Sequence, residues 1–380
     1  MKVILEAQHV CTAEPRGIPY YTIQVISQLL KRSIYNYELT FFDENKWKNN
    51  RQWIDKYFGS YNVTIHECNT LNYRDTWFRS DVYKEKSYND YTGANGDIFH
   101  FFSLTSIPNN LNGKMIVTIH DMLPFQYPKF YSPRTIKMME LNLANLNKTN
   151  PIVIVDSKSV KKDILNFTNV PDDKIFVIPC SYDEKSCLLR NDPNILKYEL
   201  RINGPYLLFL SALAKNKNLC RIVEAFESIA ERFPDLKLVV AGGSAFYPDL
   251  SAISKIKESR FTSRIIMTDY VNSEQKHVLY SNAVAFLFPS LFEGFGLPIL
   301  EAMARGCPVI TSNVFSMPEV AGDAAILIDP HNTEQLTYEM DRIVSSESLR
   351  EELKLKGLEQ CKKFSWDKTA QMVEEVYGGM

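Results

Sequence analysis

The sequence predicts an α/β protein built as two Rossmann-like domains, and three observations carry that prediction. Short apolar runs alternate with helix-spaced apolar positions almost throughout, the pattern of parallel strands joined by crossover helices. At 380 residues the chain is long for a single core. Several strand-like runs end in glycine turns or in histidine and acidic residues, and ligands of open parallel sheets bind beyond those carboxyl edges.

Composition excludes some function classes. Apolar residues make up 45%, charged residues 23%, and the formal net charge is -2, without the basic domain expected of a nucleic-acid binder. No run of about 20 apolar residues is present to span a bilayer. Glu6 interrupts the opening MKVILEAQHV where a signal peptide stays apolar, so a cytoplasmic protein is expected. The 7 cysteines are scattered, odd in number and without a C-x-x-C pair, and read as free thiols.

Lys2 to Leu5 is the first predicted strand. The loop Ala13 to Pro19 follows, holding Gly17, and Thr22, Val25, Ile26, Leu29 and Leu30 then repeat at helical spacing. A glycine here admits close approach of a diphosphate to the backbone, and a tight turn requires glycine equally well. Further strands are predicted at Leu39 to Phe42 and Val63 to Ile65. From Asn69 to Asp97 the chain is polar and aromatic without a period. Its tyrosines and Trp77 suit sugar stacking or plain surface packing. Ile98 to Phe102 and Met115 to Ile119 are buried strands, and His120-Asp121 closes the second at the sheet edge. Ile152 to Asp156 comes next, followed by a helix with Ser157 as its cap. Lys174 to Ile178 ends the first domain.

The second domain opens with the strand Tyr206 to Leu210 and the loop Ser211 to Asn218, ahead of a helix from Leu219 to Arg232. Leu236 to Ala241 ends in Gly242-Gly243-Ser244, and Thr268 to Val271 precedes a helix at Ser273 to Ser281. The most informative stretch follows the strand Val284 to Pro289. Gly294 and Gly296 break any helix, whereas Pro298 suits a first turn, so a helix is expected to start near Leu297. Glu293 then lies in the loop and Glu301 one turn inside the helix, both turned toward one small volume with the helix N-terminus between them. Pro308 to Thr311 and Ala325 to Asp329 are the remaining strands, with helices from about Ser316, Asn332, Ser348 and Ser365.

Glu293 to Glu301, with GFGLP between, resembles the E-x7-E signature of retaining glycosyltransferases of family 4, which have the GT-B fold. The resemblance implies two Rossmann-like domains facing across a cleft: residues 1–185 on the acceptor side, joined by a C-terminal helix at about 365–380, and 186–364 on the donor side. It implies that Gly17, Ser211, Lys217, Gly242, Val271, Glu293, Gly294, Phe295, Gly296, Leu297 and Glu301 hold a nucleotide diphosphate sugar. Within that set Lys217 takes the phosphate, Glu293 the sugar, Glu301 the ribose, and the backbone at Val271 the base. His120, at the end of IVTIHDMLPFQYPKFY, is similar to the family's histidine near donor sugar and acceptor, with Asp121 beside it. His120, Glu293 and Lys217 are thus the expected catalytic residues. Two departures stand out. Ile18 and Pro19 replace a second glycine after Gly17, and Ala212 and Asn216 stand where relatives carry an arginine, leaving Lys215 as the nearest substitute cation.

The implied reaction is retaining transfer of a hexosyl group, from GDP-mannose or a UDP-hexose, to a glycan or lipid-linked glycan in surface polysaccharide biosynthesis. No D-x-D sequence is present, so neither a metal nor a resident cofactor is expected. A GT-B sugar-nucleotide epimerase and a non-catalytic nucleotide-sugar binder remain as alternatives. If the acceptor is lipid-linked, Lys129, Arg134, Lys137, Lys158, Lys161 and Lys162 offer a peripheral contact to an anionic membrane at the inner face, and a solvated helix face explains them equally. Oligomeric state leaves no mark in the sequence.

Overall fold

A computed structural model describes residues 1–13, 15–42, 50–68, 86–108, 110–243 and 248–380. Trp77, most of the aromatic stretch from Asn69, and Ser244 lie outside the described residues. The chain forms two compact units, Met1–Cys180 with Trp366–Met380, and Ser181–Ser365. Among the described residues no helix is long and apolar enough to cross a membrane.

The first unit holds a parallel sheet of β1 (Lys2–Glu6), β2 (Asn36–Phe42), β3 (Thr64–Cys68), β4 (Ile98–Phe101), β5 (Lys114–Ile119), β6 (Ile152–Val155) and β7 (Ile175–Val177), in the order β3-β2-β1-β4-β5-β6-β7. The order reverses between β1 and β4, which places a switch point at their carboxyl ends. Val117, Val153, Val155, Phe99 and Phe101 are buried, as strands covered on both faces require. The expected strand Val63 to Ile65 is displaced: pairing in register with Glu38 to Phe42 draws Thr64 through Cys68 into the ladder. The first helix, Ile18–Arg32, begins earlier than periodicity indicates, because Ile18 and Pro19 form its first turn instead of extending the loop. A helix at Pro133–Thr149, capped by Ser132, was not anticipated.

The terminal helix Trp366–Gly378 completes this unit. Glu374 is buried and accepts hydrogen bonds from Arg32 Nε at 2.6 Å and the Tyr37 hydroxyl at 2.8 Å. Tyr377, also buried, meets His100 Nδ1 at 2.6 Å, and His100 Nε2 meets Thr118 at 2.8 Å.

The second unit holds β8 (Tyr206–Leu210), β9 (Lys237–Ala241), β10 (Ile265–Asp269), β11 (Ala285–Phe288), β12 (Val309–Ser312) and β13 (Ile326–Ile328), all parallel, in the order β10-β9-β8-β11-β12-β13. Its core joins Leu207, Phe209, Leu238, Val240 and Leu287 to Ile222, Phe226, Leu336 and Met340 from helices Leu219–Ile229 and Thr333–Ser345. Burial of each such side chain contributes about 1.5–3 kcal/mol. That rigid sheet fixes the loops after β8, β9, β10 and β11, with the switch point between β8 and β11.

Candidate functional site

Ser211, Lys217, Gly242, Val271, Glu293 to Leu297 and Glu301 all belong to the second unit, on loops and a helix beyond strand carboxyl ends. The loop after β8 is tied to the loop after β11 at several points. Asn218, buried and left-handed at φ 63°, donates from Nδ2 to the carbonyls of Pro289 at 3.0 Å and Pro330 at 2.7 Å. Leu291 N donates to Asn216 O at 2.8 Å. These ties hold Lys217 Nζ 2.5 Å from Glu293 Oε1, with the ammonium 5.2 Å from the Phe288 ring centroid. Their side chains are 16% and 13% exposed, so the pair is largely but not fully buried. Lys215 is exposed in the same turn.

Glu293 is set by Ser316, whose hydroxyl lies 2.9 Å from Glu293 O and 2.8 Å from Phe295 O. Gly296 is the residue ahead of the helix Leu297–Met303, with Pro298 in its first turn, and Phe295 is buried against Phe364. Glu301 takes a different cation from Glu293: Lys276 Nζ is 2.6 Å from its Oε1, and the Tyr280 hydroxyl is 3.4 Å from its Oε2. Sequence reasoning missed both partners. The available signal was their i,i+4 spacing in the helix after Val271. Val271 is buried ahead of the capping box of Asn272 and Gln275.

Gly242 explains itself by geometry. Its φ is +129°, and a Cβ there would lie 2.0 Å from Ser211 O. Only glycine lets the turns after β8 and β9 approach so closely. Gly242 N donates to Asp269 O at 2.8 Å, so this turn joins three strand ends.

Gly17, His120 and Asp121 belong to the first unit. Gly17 precedes the first helix at φ +57°, and space for a Cβ is open there, so backbone conformation rather than close approach selects glycine. One turn on, the Tyr21 ring packs edge-on against His120 at 4.7 Å. His120 Nδ1 lies 2.6 Å from Asp156 Oδ2 and Nε2 lies 3.1 Å from Phe102 O. Burial opposes charge on this ring, but Asp156, the Phe102 carbonyl and Asp121 outweigh it and raise the pKa above its usual value. Both nitrogens face acceptors, an arrangement that favours the protonated ring. Asp121 Oδ1 accepts from Leu123 N at 3.1 Å. Nearby, burial pushes the Asp163 carboxyl up to about 6, against the Gln126 hydrogen bond and with Asp121 adding repulsion.

Among the basic residues expected to serve a membrane, Lys161 is committed elsewhere. It pairs with Asp172 at 3.0 Å and donates to the Ile175 carbonyl at 3.0 Å. Lys129, Arg134, Lys137, Lys158 and Lys162 are exposed.

Residues 193–360 match the family model for glycosyl transferases group 1. This stretch is similar to a group 1 glycosyl transferase domain. Its sheet, the Lys217–Glu293 pair and the Glu293 to Glu301 stretch all fall inside the matched residues. Over 282 residues the chain is 29% identical to O-antigen chain mannosyltransferase B of Escherichia coli, covering 71% of each protein. It is 28% identical over 275 residues to serotype-specific mannosyltransferase WbdA of Escherichia coli, where the match covers 70% of this chain and 34% of that protein, so it spans about a third of that relative's length. Sucrose-phosphate synthase from Thermosynechococcus elongatus superposes with a TM-score of 0.76 at 18% identity, covering 100% of this chain and 98% of that one. That likeness shows the GT-B fold around the matched residues.

Proposed function

We propose that this protein is a retaining glycosyltransferase that moves a hexosyl group, mannose in the reading its relatives favour, from a nucleotide diphosphate sugar to a glycan or lipid-linked glycan acceptor. The observation that carries the reading is the Lys217–Glu293 pair at the switch point of the second sheet, 2.5 Å apart. As the bond from the anomeric carbon to the diphosphate oxygen breaks, the electron pair leaves with the diphosphate. Lys217, Ser211 and the amides of Gly294 to Leu297 are the donors aimed at that charge. The diphosphate competes with Glu293 for Lys217 and so frees the carboxylate for the sugar hydroxyls. The acceptor hydroxyl attacks the face the diphosphate leaves, and its proton goes to the departing phosphate oxygen. No metal or resident cofactor belongs to this reading. Surface polysaccharide assembly on the cytoplasmic face, with Lys129 and Arg134 near an anionic membrane, is its cellular setting.

Thermal denaturation with GDP, UDP, dTDP and ADP in parallel tests it. A ligand at a hundred times its Kd adds ~2.7 kcal/mol to the folded state. One nucleotide should stabilise the wild type and much less the Glu301→Gln variant, whose lost charge-assisted bond is worth ~1.5–3 kcal/mol. No stabilisation by any of the four would sink the reading.

A further inference from the structure

The geometry points to Lys276 as a positioning residue that fixes Glu301 for a ribose diol. This rests on the reading of Glu301 as the ribose-binding carboxylate, and it adds a residue that the E-x7-E stretch does not contain. Glu301 stands one turn inside the helix Leu297–Met303 with its side chain 17% exposed. A glutamate so placed has three side-chain torsions to restrict before both oxygens can meet a vicinal diol. Lys276 supplies that restriction from the neighbouring helix Ser273–Asn282, its Nζ 2.6 Å from Oε1.

The rest of the surroundings shows that this contact is built in. Tyr280 follows Lys276 by one turn, is fully buried, and brings its hydroxyl to Oε2. Arg305 follows Glu301 by one turn, donates from Nη1 to the Glu301 carbonyl at 2.7 Å, and lays its guanidinium 5.6 Å from the Tyr280 ring centroid. Lys276 and Tyr280 on one helix therefore lock against Glu301 on the other and Arg305 in the turn that follows it. Each oxygen of an ionised carboxylate accepts about two hydrogen bonds, so one position per oxygen stays open for a ligand hydroxyl. Lys276 is itself 24% exposed, at the rim of the arrangement, so replacing it leaves the buried Tyr280 and Arg305 in place.

The test uses the whole chain and measures Kd by calorimetry for GDP and UDP and for their 2′,3′-dideoxy forms, with wild type, Lys276→Met and Lys276→Arg. Wild type should prefer the ribose form of its nucleotide by about tenfold or more. In Lys276→Met that ratio should fall toward one, while affinity for the dideoxy form and thermal midpoint stay near wild type. Lys276→Arg should restore most of the ratio. If Lys276→Met keeps the wild-type ratio, or binds the ribose form more tightly, Lys276 does not position Glu301 and the inference is overturned. A wild type that fails to distinguish ribose from dideoxyribose overturns the underlying assignment of Glu301 as well, and the two failures are told apart by which protein shows them.

Discussion

Replacing Gly242 by alanine is expected to destabilise the second unit by about 2–4 kcal/mol. The methyl carbon would lie 2.0 Å from Ser211 O and 2.8 Å from Ser211 C, inside the 3.0 Å below which real Cβ atoms essentially never come. The obstructing atoms are backbone, so relief requires the turns after β8 and β9 to separate by about an ångström. Ser211 N donates to Ala241 O at 3.1 Å and Gly242 N to Asp269 O at 2.8 Å, and separation breaks at least one of these bonds, worth about 1 kcal/mol. An L-residue held at φ +129° adds about 1–3 kcal/mol. Gly243→Ala is the control, because its Cβ meets nothing within 4 Å and a surface change of that kind stays within about 0.5 kcal/mol. Urea denaturation followed by far-UV circular dichroism is the suitable assay. Tryptophan fluorescence would miss the event, since Trp47, Trp53, Trp77 and Trp366 all fall within the sequence of the first unit. Equal midpoints for the two alanine variants would refute the close-approach argument.

Two further outcomes are expected. Burial, with the nearby charge of His120, lowers the His100 pKa to about 3, so the unfolded chain takes up a proton first as pH falls below about 6.5. Wild-type stability should therefore drop by about 1.4 kcal/mol per pH unit more steeply than that of His100→Asn between pH 6.5 and 4, and a pH-independent gap between the two would contradict it. His120→Ala should lower turnover far more than donor affinity, measured as kcat against nucleotide Kd. Equal losses would reassign the residue to donor binding.

What the sequence disclosed depended on whether the signal was local. The strand, glycine loop and helix from Ala285 to Met303 were legible because Gly294, Gly296 and Pro298 each restrict the backbone in the same sense. The helix Pro133–Thr149 was not, because only Met139, Asn142 and Leu146 are buried along it and its apolar rhythm is correspondingly thin. At the candidate site, glutamates and the lysine could be nominated from spacing and resemblance. Their partners could not. Asp156 reaches His120 from the next strand and Lys276 reaches Glu301 from 25 residues away, pairings that only the sheet order creates. Asn218 is another such case: an asparagine in a polar loop looks ordinary until two buried carbonyls converge on it.

The helix Trp366–Gly378 belongs to the first unit, although the whole of the second unit intervenes in the chain. On the ribosome, Arg32, Tyr37 and His100 emerge long before Glu374 and Tyr377, their partners. At about 5–20 residues per second, the first unit waits on the order of ten seconds or more with an open face, while the continuous second unit can close. The order of completion is thus the reverse of the order of synthesis, and a chain cut short anywhere before Trp366 leaves its first unit unfinished.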